Sequence, residues 1–244
     1  MNHIECVSID LVSKYCENLF FRSPGSDVLL VFLPSVNGKS VYPYFPRKSW
    51  ADALAKKYNV LYISDPYQPL PQYKESMGSW FISPDGKLTL EVLAKALVEV
   101  KKNIGAREIV LYGSSMGGYA ALILASLIDG SKAIAECPQI YLKNHPGSRY
   151  VCEKLLDPSI SFESKEPLAY LQSGGEAHLR IICSMFDSHY SQHVLPFIKD
   201  IEEKFDELSC SVTLYAYMNA EYKRGHVAMS KKDACNVIDE VVRL

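Results

Sequence analysis

The chain alternates short, nearly continuous apolar runs with longer stretches whose apolar positions recur every three to four residues. Residues 28–33 (Val-Leu-Leu-Val-Phe-Leu) are apolar throughout, which suits a parallel strand covered on both faces. Residues 60–64, 109–112, 132–137, 179–183 and 210–217 predict further strands. Residues 4–9 and 15–22 read as opening strands, with an antiparallel pairing and a turn at 23–27. Helical spacing returns between the strands. Trp50, Ala53, Leu54 and Tyr58 predict an amphipathic helix over 47–58. Leu90, Leu93, Leu97, Val100 and Ile104 share one helical face, with Thr89 as N-cap and Gly105 as the stop. Two more helices are expected near 191–206 and 229–243. Strands alternating with helices predict an α/β fold, a doubly wound, mostly parallel sheet with helices on both faces.

Three connections interrupt this rhythm. Residues 34–38 (Pro-Ser-Val-Asn-Gly) follow the first buried strand at its carboxyl end, the sheet edge at which ligands bind in open α/β folds. Residues 65–83 form a long irregular stretch rich in proline and aromatic residues, and long loops are often functional. Its aromatics, Trp80 among them, could wall a sugar- or acyl-binding site or form a hydrophobic flap over the core. Residues 143–177 lack a clear period and carry many turn formers, so they read as a small cap inserted into a single domain spanning 1–244.

Composition narrows the class. Hydrophobic residues make up 48% and charged residues 22%, with a net charge of −2, which gives no support for a nucleic-acid or anionic-membrane partner. No apolar run approaches the ~20 residues of a membrane span. The first residues resemble no signal peptide. The seven cysteines are scattered without a C-x-x-C, as in a reduced, cytoplasmic protein. The sequence does not specify an oligomeric state.

The chemistry centres on Gly113-Ser114-Ser115-Met116-Gly117-Gly118, a G-x-S-x-G pattern between a strand and a helix. A strand that turns abruptly into a helix holds its corner residue in a strained conformation and lifts that side chain above the sheet edge. Ser115 is therefore the candidate nucleophile. The Met116 N–H, at the start of the helix, is a candidate oxyanion donor. The second donor is expected from Ser35 or Val36, since Pro34 has no N–H. A serine hydroxyl needs a base, and the base needs an orienting acid. His226, after the last strand and before the last helix, is the candidate base. Asp187, four residues beyond Cys183, is the candidate acid. His189 and His193 have the i, i+4 spacing of a metal pair but lack the H-E-x-x-H context and an obvious third ligand, so no metal site is expected.

The strand–Gly113-Ser114-Ser115-Met116-Gly117-Gly118–helix unit, followed by Asp187 and then Gly225-His226, resembles the α/β-hydrolase superfamily along nearly the whole chain. The longer stretch through Tyr119-Ala120-Ala121-Leu122, with Pro138-Gln139 after the next strand, is similar to hydrolases of bacterial capsule and surface-polysaccharide loci. Asp187-Ser188-His189-Tyr190 and Gly225-His226 also resemble capsule polysaccharide O-acetyltransferases built on this fold. The resemblance implies a Ser115–His226–Asp187 triad acting on a carbohydrate-linked or small-molecule ester through an acyl-enzyme. That group would pass to water or to a glycan hydroxyl, with no cofactor beyond acetyl-CoA as donor in a transferase. Trp80, His189 and Gln139 are the expected substrate contacts. Lys223 and Arg224 read as solvated loop charges, with an anionic glycan or a coenzyme A phosphate as the other possibility. No His-Gly oxyanion motif follows Leu33, a departure from the superfamily pattern. The other readings are a catalytically silent binding partner in a glycan biosynthesis or export complex, and a lyase.

Overall fold

A computed structural model describes residues 6–218 and 225–244. Part of the first predicted strand, together with Lys223 and Arg224, lies outside the described residues. One eight-stranded sheet runs through the molecule. Its strands are β1 (Cys6–Val7), β2 (Asn18–Phe21), β3 (Val28–Leu33), β4 (Asn59–Ile63), β5 (Glu108–Ser114), β6 (Ser131–Glu136), β7 (Ala177–Ser184) and β8 (Cys210–Tyr217). They lie in the order β1-β2-β4-β3-β5-β6-β7-β8. The pairings of β1 with β2 and of β2 with β4 are antiparallel, and every other pairing is parallel.

The strand order reverses beside β3. The chain steps from β3 outward to β4, then returns to place β5 on the other flank of β3, with Leu33 opposite Gly113. The loops leaving β3 and β5 therefore meet at the carboxyl edge, where such a reversal opens a crevice. That places residues 34–37 beside Ser115.

All of β3 is buried, and alternate residues feed two cores. Leu29, Val31 and Leu33 pack with α3 (Leu90–Ile104) and α4 (Met116–Leu127). Leu30 and Phe32 pack with α2 (Ala51–Leu54) and α8 (Lys231–Val242). Helix α4 is buried from Met116 to Ser126, because the sheet covers one side while α3 and α6 (Pro167–Ser173) cover the other. Among the described residues, no helix is long and apolar enough to cross a membrane.

Local deviations from the predicted elements have physical causes. The helix expected over 47–58 shrinks to a 3₁₀ turn, Lys48–Trp50, followed by α2. Arg47 sits at φ 64°, a left-handed conformation that cannot start a right-handed helix. A short helix, α1 (Asp10–Ser13), fills the gap between the two opening strands. Thr89 precedes α3, but its hydroxyl pairs with the Tyr67 hydroxyl at 2.8 Å and makes no capping bond. The 191–206 helix is divided, with a π-helical turn, Tyr190–Val194, before α7 (Leu195–Glu203).

The two long connections are tied down. In 65–83, Tyr73, Trp80 and Phe81 are fully buried, so the aromatics form the flap over the core and not an open wall. Buried Asp65 holds this loop by accepting from the Ser79 N–H at 2.8 Å, the Ser79 hydroxyl and the Tyr67 N–H at 3.1 Å. Within 143–177, α5 (Pro146–Tyr150) and a π-helical turn, Val151–Leu155, lead on to α6, which packs on α4. The Tyr119 hydroxyl donates to the Lys165 carbonyl at 2.7 Å, and the Leu142 N–H donates to Glu166 Oε1 at 2.8 Å.

Candidate active site

The corner between β5 and α4 has the strained geometry the sequence predicts. Ser115 adopts φ 57° and ψ −120°, a sparsely populated conformation for a residue with a Cβ. Backbone bonds hold it there. The Ser115 N–H donates to the Glu136 carbonyl at 2.9 Å, and the Ser115 carbonyl accepts from the Gln139 N–H at 3.1 Å. The flanking glycines are steric requirements. A Cβ on Gly113 would lie 2.1 Å from the Gly117 carbonyl oxygen, and one on Gly117 would lie 2.7 Å from that of Leu33. The Ser115 Oγ is buried and has no hydrogen-bond partner.

His226 Nδ1 lies 2.6 Å from Asp187 Oδ2. Asp187 sits just past β7, and its side chain is fully buried. Its other oxygen accepts from the His189 N–H at 2.9 Å. Burial alone would raise the Asp187 pKa, but the His226 bond and the His189 N–H outweigh it and hold the pKa at about 2. For His226, burial works against the imidazolium, and the hydrogen bond to the Asp187 carboxylate, followed by that with Cys137, reverses the effect, so its pKa stands above the ordinary histidine value. Cys137 Sγ lies within 4.8 Å of the ligating atoms of both. A hydrogen bond with Cys183 and burial push this thiol far up, so it stays neutral and adds no charge beside His226. The 2.6 Å Nδ1–Oδ2 separation is a hydrogen-bond length, which a shared proton fills.

Ser115 and His226 line one cavity of about 630 Å³, together with Val36, Tyr44, Arg47 and Trp50. No hydrogen bond joins the serine and the histidine here.

The three N–H groups expected to face an oxyanion, those of Ser35, Val36 and Met116, are unpaired among the described residues. Gly78 relates Val36 to Met116, since a Cβ there would meet Met116 Sδ at 2.6 Å and Val36 Cγ1 at 3.3 Å. Gln68 fixes this loop by donating to the Ser35 carbonyl at 3.2 Å and the Met77 carbonyl at 2.6 Å.

The three residues expected to touch substrate are placed differently. Trp80, Gln139 and His189 are buried and do not line the cavity. Trp80 Nε1 donates to Gln139 Oε1 at 3.1 Å, which bridges the flap to the turn after β6. His189 Nδ1 donates to the Cys137 carbonyl at 2.8 Å, and its ring centroid lies 4.4 Å from that of His226. The ring of His193 lies 5.1 Å from that of His189, and its Nδ1 accepts from the Tyr141 N–H at 3.1 Å. His145 lies 5.9 Å from His189 on another side. Burial lowers the pKa of His189, that of His145 to about 4 and that of His193 to about 3. The histidines behind His226 are thus neutral at pH 7.

Sequence reasoning missed the cavity wall at 44–50 and the buried Arg47–Glu136 pair, whose atoms lie 2.8 Å apart. One signal was available. Glu136 is an acid inside the otherwise apolar Ala133-Ile134-Ala135 run, and an acid so placed is rarely buried without a partner.

The strand order, the strained corner serine and the Asp–His pair together define the α/β-hydrolase fold, and the chain has that fold. Solved structures agree. The capsule O-acetyltransferase of Neisseria meningitidis serogroup A is similar at a TM-score of 0.68 and 16% identity, covering 100% of this chain and 96% of that one. An S-formylglutathione hydrolase from Agrobacterium tumefaciens is similar at a TM-score of 0.64 and 14% identity, covering 98% and 92%. Esterase B from Lactobacillus rhamnosis is similar at a TM-score of 0.64 and 12% identity, covering 99% and 84%. No protein-family model and no curated protein matches the sequence.

Proposed function

We propose that this protein is a serine-dependent acyl-transfer enzyme that acts on a carbohydrate-linked or small-molecule ester, as an esterase or an O-acetyltransferase. The observation that carries the reading is the Asp187–His226 pair, whose histidine lines the same cavity as Ser115, a residue whose hydroxyl has no hydrogen-bond partner. Ser115 Oγ attacks the acyl carbonyl as His226 Nε2 takes its proton. Asp187 keeps the remaining proton on Nδ1 and stabilises the imidazolium. The Met116 N–H, with that of Val36 or Ser35, receives the oxyanion. His226 then returns its proton to the departing group, leaving the acyl group on Ser115. Water, or a sugar hydroxyl activated by the same histidine, releases it. In the transferase version acetyl-CoA is the acyl donor.

The carbohydrate side of the proposal draws on the fold shared with the meningococcal capsule O-acetyltransferase and on the half-buried Tyr44 and Trp50, which present aromatic surface to the cavity. Six described cysteines are free, which supports a reducing, cytoplasmic location. Because Ser115 is covered in this state, productive binding requires the cavity wall to open.

The test is intact-mass spectrometry of wild type and Ser115→Ala after incubation with acetyl-CoA or with p-nitrophenyl acetate, each with and without capsule-type oligosaccharides. An acetyl adduct of about 42 Da that is absent from the variant and discharged by one glycan establishes acyl transfer. Serine-dependent turnover of the nitrophenyl ester without reaction of acetyl-CoA establishes an esterase. No adduct and no turnover in wild type would replace the proposal with a non-catalytic binding role.

A further inference from the structure

We propose that Glu136 is a positioning residue that holds the His226 loop, the cavity wall and the Ser115 corner in register, an inference that rests on the acyl-transfer reading. The carboxylate stands at the carboxyl end of β6 with no solvent exposure. Its Oε1 accepts from the Met229 N–H, three residues beyond His226. Its Oε2 accepts from Arg47 at 2.8 Å and from the Tyr112 hydroxyl at 2.8 Å. Its own carbonyl accepts from the Ser115 N–H at 2.9 Å.

Arg47 extends the connection. Its second guanidinium nitrogen donates to Ser114 Oγ at 3.1 Å, and its charge lies over the rings of Trp50 and Tyr112 at 5.3 and 5.2 Å. Its carbonyl accepts from the Tyr62 hydroxyl at 3.1 Å, which fixes the left-handed turn that opens the 3₁₀ segment of the wall. One buried ion pair therefore joins the base loop, the nucleophile corner and the wall across from the serine. A charge pair this buried holds its geometry tightly, because displacing either partner strands the other without water.

The consequence concerns His226. The Asp187 bond sets its orientation, but the loop's distance from the sheet is set by the Met229 N–H on Glu136. Releasing that anchor lets the imidazole drift from both Asp187 and Ser115, and a displacement of ~1 Å can cost about 100-fold in rate. The titratable groups that act on His226 are Asp187, Cys137 and His189, with His145 and His193 further back. Asp187 is the only carboxylate among them and gives the largest upward contribution, so loss of its contact has a pH signature.

The test compares two double variants, each of which removes the ion pair without stranding a charge. Arg47→Met with Glu136→Gln keeps an acceptor for the Met229 N–H, whereas Arg47→Met with Glu136→Leu does not. Serine-dependent turnover of p-nitrophenyl acetate should show kcat about 10- to 100-fold lower in the leucine variant than in the glutamine variant. KM should be similar in the two, and the acid limb of the leucine variant should move down towards the ordinary histidine value. Equal kcat and equal acid limbs would overturn the proposal. Should the leucine variant not fold, Glu136→Asp gives the same reading, since its shorter arm keeps the charge but cannot reach Met229 and Arg47 together. Wild-type kinetics in Glu136→Asp would then overturn it. Fluorophosphonate labelling of wild-type Ser115 is the control. Its absence sinks the acyl-transfer reading, and its presence with equal variants sinks only the role of Glu136.

Discussion

Asp187 Oδ2 and His226 Nδ1 meet at 2.6 Å across 39 residues of chain, one from the end of β7 and the other from the loop before α8. The carboxylate is fully buried, while the imidazole is 42% exposed. The buried partner is therefore the fixed one, and the exposed ring is oriented by it.

Replacing Asp187 with Asn keeps the shape but removes the charge that stabilises the imidazolium. Ser115-dependent kcat should fall by roughly 10³- to 10⁴-fold with little change in KM. Steady-state kinetics on p-nitrophenyl acetate measures both. A loss below about tenfold would show that Asp187 does not orient the base.

The same charge governs the pH profile. Because the His226 pKa is raised, the neutral base forms only above the ordinary histidine range, so the acid limb of kcat/KM should lie above pH ~6.5. Asp187→Asn should move that limb downward. A limb below pH 6 in wild type would contradict the stabilised imidazolium.

Gly113→Ala tests the corner. Its Cβ would press on the Gly117 backbone at 2.1 Å, and backbone cannot rotate away as a side chain can. Urea denaturation should show a loss of about 3 kcal/mol or more, together with loss of fluorophosphonate labelling at Ser115. A variant as stable as wild type would mean that the turn relaxes without strain.

Val36→Pro removes one candidate oxyanion donor. The side chains of Val36 and Met116 both flank Gly78, which brings residue 36 near residue 116, a proximity that the sequence alone does not indicate. A fall in kcat of about 10²- to 10³-fold is expected, and it should exceed that of Ser35→Pro. The reverse ranking would assign the donor to Ser35.

The neutral histidines behind the site bear on acid stability. The folded-state pKa of His193, about 3, is depressed, so the stabilisation from keeping it neutral is complete above pH ~6.5 and is lost as pH falls towards 3. His145, at about 4, acts in the same direction. His193→Gln keeps an acceptor for the Tyr141 N–H and removes the titration. Its Tm should fall less than that of wild type between pH 7 and pH 4.5, by roughly 5 °C or more. Parallel Tm curves would show that His193 is not protonated on unfolding in this range.

The centre of the sheet was legible because β3, β4 and β6 are buried on both faces, and edge strand β8 was legible from its β-branched and aromatic run. The fully apolar 28–33 run became β3, and 210–217 became β8, with the same bounds in sequence and structure. The serine corner was equally legible, because only glycine tolerates the close approaches at 113 and 117. The Ser–Asp–His order could be read because each residue follows a recognisable strand. The pairing of Asp187 with His226, and the cavity that His226 shares with Ser115, are decided by the order of strands in the sheet, which no local pattern encodes. Trp80, Gln139 and His189 looked like substrate contacts because loop aromatics and polar residues near a nucleophile resemble a binding wall. Only tertiary packing buries all three away from the cavity, Trp80 within the 65–83 loop, Gln139 after β6 and His189 after β7. The wall itself comes from 44–50, held by an ion pair between Arg47 and Glu136, residues 89 positions apart. Periodicity and turn chemistry act over a few residues and are written in the sequence. Burial of a charge pair depends on which distant segments close over it, so tertiary structure alone decides it.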